Sequence, residues 1–222
     1  MNRALTIVLL AILSAGPLSA QAPLDLMMRV DRSNNAADPE MYVDYSADPD
    51  DVPEVTVTAV ENGFQVVTGP AVTLWRPEQT VRGNYTLSGR FTLLEPSSHR
   101  NFYGLIFGGR NLNSENQRYL YFMVAQTGEY VIINRIDDTN TNHIQTYTEH
   151  PAVQRPDANG RSVNELALRV GAEQIEFVVN GTVVHAAAKA GPLLETNGIW
   201  GVRITHVLPG VVVENLSVSP MD

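Results

Sequence analysis

The sequence predicts an all-β chain: an antiparallel sandwich of two sheets with the topology of a jelly roll. Three observations predict it. From Val55 onward apolar and polar residues alternate with period two, and Gly, Asn, Asp and Pro interrupt the alternation at short intervals. No window carries a helical stripe, apart from a short turn near 188–195. So many short strands with so little helix leave the sandwich as the economical way to bury one face of each sheet.

In chain order the strands are expected at VTVTAV (55–60), FQVV (64–67), AVTLW (71–75), YTLSGRFTLL (85–94) and FYGLIFG (102–108). RYLYFMVA (118–125), EYVIINRI (129–136), HIQTYT (143–148), ELALRV (165–170) and QIEFVV (174–179) follow. TVVHAA (182–187), GIWGVRI (198–204) and GVVVENLSV (210–218) complete the set. Ahead of them, residues 1–20 carry Arg3, an apolar run from Ala4 to Leu13 and small residues at Ser19 and Ala20, the pattern of a cleaved secretory signal peptide. Residues 21–54 mix Pro, Asp, Asn and Ala without a period and read as a linker or extended arm, which leaves 55–220 for the sandwich. The expected location is therefore periplasmic or extracellular, with no membrane insertion of the mature form.

Turn chemistry assigns faces. Asn180-Gly181 suits a type I′ hairpin, because both central residues need positive φ. A two-residue loop pairs Val179 with Thr182 and sets Phe177 against Val184 and Glu176 against His185. A bend at Gly171-Ala172 sets Leu168 against Ile175 and Leu166 against Phe177. Leu166, Leu168, Ile175, Phe177 and Val184 then face a core, while Glu165, Arg169, Gln174, Glu176 and His185 meet water. At Thr127-Gly128 the same logic pairs Gln126 with Glu129. It puts Leu120, Phe122, Val124, Val131 and Ile133 on one face and Tyr119, Tyr121, Met123, Tyr130, Ile132 and Asn134 on the other. Leu105 and Phe107 join the first face, and Gly104, Ile106 and Gly108 the second, where the glycines would leave room for a ligand.

NFYGLIFGGRNLNSENQRYLYFMVAQTGEYVIINRI, NELALRVGAEQIEFVVNGTVVHAA, GIWGVRI and VVVENLSVSP together resemble the concanavalin A-like lectin and glucanase superfamily. Within it the likeness is to laminin-G-like modules and to secreted domains described as 3-keto-disaccharide hydrolase or family 16 glycoside hydrolase-like. It covers roughly residues 55–220, and its motifs are structural. The resemblance implies two curved sheets with ligands on the concave face or its rim loops. It carries over no catalytic residue, since the E-x-D-x-x-E strand of the retaining glucanases does not occur here.

Aromatic faces against C–H groups and Asn, Arg or carboxylate groups against hydroxyls are the chemistry of a sugar site. Tyr119, Tyr121 and Tyr130, with Asn134 and the loop residues Arg110, Asn111, Asn113 and Glu115, form the candidate binding site for carbohydrate or a glycan-bearing surface. The alternative is that the tyrosines only cover a sheet face beneath the arm. Hydrolysis of a glycosidic bond ordinarily takes two carboxyl groups about 5–10 Å apart, and Glu115 is one candidate with no partner that can be named. An enzyme acting on a glycosidic bond and a structural or adhesion module without a small ligand thus stand as alternatives to a lectin-like function.

No cofactor is expected. Asp138, Asn140, Asn142 and Glu149 fall at positions one, three, five and twelve of a calcium loop, yet His143 replaces its glycine and strands flank it; a polar hairpin turn is the competing reading. The five histidines show no ligand spacing, and Glu176 with His185 reads as a surface pair rather than a catalytic dyad. Sequons occur at Asn84, Asn180 and Asn215. Without cysteine there is no disulfide framework, and 24 acidic against 15 basic residues, a formal charge of −9, argue against nucleic acid as a partner.

Overall fold

The computed structural model describes residues 40–43 and 55–221. Its strands are β1 (Glu40–Val43), β2 (Thr56–Val60), β3 (Gly63–Thr68), β4 (Val72–Val81), β5 (Tyr85–Leu93), β6 (Phe102–Arg110) and β7 (Arg118–Ala125). They continue as β8 (Glu129–Arg135), β9 (Thr141–Glu149), β10 (Ser162–Val170), β11 (Gln174–Val179), β12 (Thr182–Ala188), β13 (Gly198–Ile204) and β14 (Leu208–Pro220). A 3₁₀ turn at Gly191–Leu194 stands where the short turn was expected. All the stretches that alternate from Val55 onward are strands, and β1 adds one inside the stretch read as an arm. It pairs antiparallel with β4, Glu40 opposite Trp75 and Val43 opposite Val72. The leader and the rest of the arm lie outside the described residues.

The strands form two antiparallel seven-stranded sheets. Sheet I runs β1-β4-β13-β6-β7-β8-β9 and sheet II runs β12-β11-β10-β5-β14-β3-β2. Their facing sides share one core in which Phe91, Phe107, Phe122 and Phe177 are wholly buried. Each such side chain contributes about 1.5–3 kcal/mol by leaving water.

The two sheets differ in their outer faces. In sheet II burial alternates residue by residue along β10, and Glu165 and Arg169 point to water. In sheet I, β6 and β7 are buried on both faces almost throughout. A second apolar cluster, built on Trp75, Ile106, Tyr121, Met123, Val131 and Ile133, occupies the face turned away from sheet II. That cluster is where the predicted tyrosine face lies.

Three registers differ from expectation. The β7–β8 loop has three residues, Gln126, Thr127 and Gly128, with Gly128 at φ 88° donating its N–H to Ala125 O at 3.0 Å. Phe122 therefore pairs with Ile132 and Val124 with Tyr130. A slip of one residue turns over every side chain of β8. Tyr130 and Ile132 enter the inter-sheet core, whereas Val131 and Ile133 join Tyr119 and Tyr121 outside. The β10–β11 register is displaced by two residues from expectation, so Val170 pairs with Ile175 and Leu168 with Phe177; an even shift leaves the faces as predicted.

The Asn180-Gly181 turn has positive φ at both residues, and Val179 pairs with Thr182 as predicted. A bulge beyond it places Phe177 opposite His185 and Glu176 opposite Ala186. His185 is half-buried, its ring 5.8 Å from Phe177 and 6.4 Å from Tyr130, rather than out in water beside Glu176. Glu176 instead takes Arg169 at 3.0 Å.

Candidate functional site

Tyr119 and Tyr121 lie side by side on the outer face of sheet I, ring centroids 5.5 Å apart, but they are 2% and 5% exposed. Around them a polar group is built into the apolar cluster. The Arg203 guanidinium donates to Thr73 Oγ1 at 3.0 Å and to the Tyr119 hydroxyl at 2.9 Å, and it sits 5.5 Å from the Tyr121 ring. A buried guanidinium is tolerated only with hydrogen bonds and ring faces of this kind. The middle of this face is a packed layer.

The face opens at the end where β6 meets β7. There a cleft of about 170 Å³ is lined by Arg110, Arg118, Tyr119, Asn134, Arg135 and Glu195, with Pro192 on its wall. Its floor exists because two backbones come unusually close. Gly108 has φ 65°, and a Cβ on it would run into the Glu195 carbonyl oxygen. The loop that supplies Glu195 is pinned from below: the buried Tyr85 hydroxyl donates to Thr196 O at 2.8 Å, and Leu193 is sunk in the core. Glu195 Oε2 lies 2.6 Å from the Arg110 guanidinium.

The opposite wall is equally fixed. In the 111–117 loop Ser114 donates to Asn111 O, and buried Gln117 donates through Nε2 to Asp138 Oδ1 at 2.7 Å. Asp138 N–H donates to Glu115 O at 2.9 Å, and Arg135 donates to Asp138 O at 2.7 Å. Rim and strands are thus held before any ligand arrives, the preorganisation a binding site needs.

No family model matches the sequence, and no curated protein matches it. Among solved structures, the carbohydrate-binding module CBM66 from Bacillus subtilis superposes with a TM-score of 0.54 at 11% identity, over 74% of this chain and 91% of that one. A protein of unknown function with a galectin-like fold, also from Bacillus subtilis, gives 0.52 at 14% identity over 81% and 94%. The chain has the concanavalin A-like fold. A putative glycosyl hydrolase from Parabacteroides distasonis gives 0.50 at 11% identity over 82% and 100%. At these identities the likeness is one of fold.

On this concanavalin A-like sandwich the expected site residues separate. Arg110, Tyr119 and Asn134 meet at the cleft. Tyr121 is buried nearby in the outer cluster, and Asn111, Asn113 and Glu115 are exposed on the adjacent loop without lining it. Tyr130 leaves the group: its ring packs in the inter-sheet core and its hydroxyl donates to Val184 O at 3.0 Å. The room expected at Gly104 and Gly108 is filled by backbone, that of Phe122 and of Glu195.

Arg118, Arg135 and Glu195 were missed. Arg118 was legible, since the β6–β7 hairpin sets it directly across from Arg110. Glu195 has no local signal, because it arrives through the close approach at Gly108.

The calcium-like stretch divides between the β8–β9 turn, with Asp138 and Asn140, and strand β9, with Asn142 and Glu149. Asp137 Oδ1 accepts the N–H groups of Thr139 and Asn140. The Asn140 side chain, then those backbone N–H groups, hold its carboxyl down at about 2. Among the described residues no three His, Asp or Glu side chains gather as a metal site, and no helix is long and apolar enough to cross a membrane. The Asn180 sequon is spent on structure: Asn180 Nδ2 donates to Ala152 O and Oδ1 accepts Glu165 N–H, both at 2.8 Å.

A larger depression, about 330 Å³, lies on the outer face of sheet II around Arg90, Glu165 and Arg169. Its arginines are matched by Glu214 at 4.0 Å and Glu176 at 3.0 Å. It presents no aromatic face.

Proposed function

We propose that this chain is an exported carbohydrate-binding jelly roll, and that the sugar enters the cleft between Arg110, Asn134 and Glu195. One observation carries the reading: a preorganised cleft in which amide, guanidinium and carboxylate groups surround an apolar wall of Tyr119, Leu120 and Pro192. That combination matches the two faces of a sugar, C–H groups on one and hydroxyls on the other. The fold shared with a carbohydrate-binding module supports the ligand class, and the leader-like residues 1–20 support delivery to the periplasm or the exterior. Binding is favoured over hydrolysis, since Glu195 is the one carboxylate among the described residues lining the cleft and it is ion-paired.

The test is a glycan array probed with residues 21–222, repeated with Arg110→Ala and Asn134→Ala. Both positions are at or near the surface, so the variants keep the fold. Selective binding weakened at least tenfold by either change is the expected result. Binding that ignores both changes, or no binding to any glycan, removes the proposal.

A further inference from the structure

Arg110 and Arg118 are direct cross-strand partners at the end of the β6–β7 ribbon. Like charges placed opposite one another repel and destabilise a sheet. Arg135 also lines the cleft, but it is buried and engaged, donating to Asp138 O at 2.7 Å with its guanidinium 5.7 Å from the Tyr119 ring. Two arginines on adjacent strands, Arg110 and Arg118, thus line about 170 Å³ in which Glu195 is the one lining carboxylate among the described residues. The concentration stands out in a chain whose formal charge is −9. On other parts of the surface Arg90, Arg155 and Arg169 each have an acid of their own, Glu214, Glu149 and Glu176. Here Arg110 and Arg118 share one carboxylate among the described residues lining the concavity, where low-dielectric walls strengthen the pull of a guanidinium on an anion.

We infer that the cleft selects an acidic sugar, one bearing a carboxylate or a sulfate ester, with the anion held between Arg118 and Arg110. This rests on the carbohydrate reading of the same site and narrows it. Guanidinium groups present paired N–H donors in a plane that matches a carboxylate or sulfate edge. The volume is below the range of about 300–1,000 Å³ usual for drug-sized ligands, which suits one sugar residue or a chain end. Glu195 is ion-paired with Arg110, and an entering anion competes with it for that guanidinium.

The probes are oligogalacturonates of three to five residues, the same oligosaccharides carboxyl-reduced to neutral galactose units, and a sulfated galactan oligosaccharide, measured by calorimetry. Expected are binding of at least one charged probe about tenfold or more above the neutral one, a fall with added salt, and loss of about tenfold in Arg118→Gln. Glu195→Gln, which removes the internal competitor, raises affinity for the charged probe. The galacturonate and galactan arms separate carboxylate from sulfate. Equal or tighter binding of the neutral probe overturns the acidic preference and leaves the carbohydrate reading standing. Charged binding untouched by Arg118→Gln overturns the placement, and failure of all probes together with a blank glycan array overturns both.

Discussion

The Tyr130 hydroxyl donates to the Val184 carbonyl at 3.0 Å, a bond from sheet I to sheet II across the sandwich. A tyrosine whose sequence context suggests a binding face is instead a tie between layers. Tyr130→Phe removes the bond and leaves a part-buried carbonyl without it, at a cost of about 1 kcal/mol. Tyr130→Ala adds the cavity and costs about 3–5 kcal/mol. Urea denaturation of both variants measures the difference; equal stability of wild type and Tyr130→Ala would place the ring outside the core.

Most of the fold was legible because burial of one sheet face writes itself as alternation. Sheet II is the clear case, with Leu166, Leu168 and Val170 in and Glu165 and Arg169 out. What failed was counting in turns. At Gln126-Thr127-Gly128 one extra residue moved Tyr130 and Asn134 to the other side of β8 from Tyr119, and the glycine in third place was the only hint. Asn134 still reaches the cleft because it sits near the strand end, where the sandwich stops and both sides are open. The candidate site was half legible for a related reason. Arg110 and Arg118 follow from a local hairpin, whereas Glu195 is brought in by a backbone approach between β6 and a loop more than eighty residues later.

Gly104 shows why that face had no space for a ligand. A Cβ there would run into the Phe122 carbonyl oxygen, backbone that cannot step aside while β6 pairs with β7. Gly104→Ala is expected to cost about 3 kcal/mol, the upper end of the range for overpacking. Gly83→Ala is a fitting comparison for space alone, since nothing lies within 4 Å of its Cβ, although its φ of 79° still adds strain. Thermal melts that place Gly104→Ala at or above Gly83→Ala would mean the sheet spreads there more easily than its pairing allows.

Asn164 and Asn180 anchor the far end of the sandwich. Asn164 is fully buried; its Nδ2 donates to the Tyr103 hydroxyl and to Gln154 O, both at 3.1 Å, and its Oδ1 accepts from Gln154 N–H at 2.8 Å and Asn180 Nδ2 at 3.1 Å. Asn164→Ala strands several groups at about 1–3 kcal/mol each, so a loss of at least 3 kcal/mol is expected. At Asn180, φ is 50°, and alanine pays for the lost hydrogen bonds and the left-handed backbone together. Asn180→Gly should therefore be the milder change by about 1 kcal/mol. Chemical denaturation of the three variants gives the order, and an Asn180→Gly less stable than Asn180→Ala would show that the left-handed backbone at this turn costs alanine little.

His185 supplies a pH dependence whose sign follows from its packing. Burial against Phe177 and Tyr130 lowers its pKa, because the charged ring loses water. With the folded value below the unfolded one of about 6.5, the unfolded chain binds more protons in between, and stability rises with pH across that window. The contribution is fully present above about pH 6.5 and is lost as pH falls through the lowered folded value. His185→Gln removes the titration. Urea midpoints measured from pH 8 to pH 5 should decline more steeply in wild type than in His185→Gln, and parallel curves would mean that the ring is as well hydrated in the folded sandwich as in the open chain.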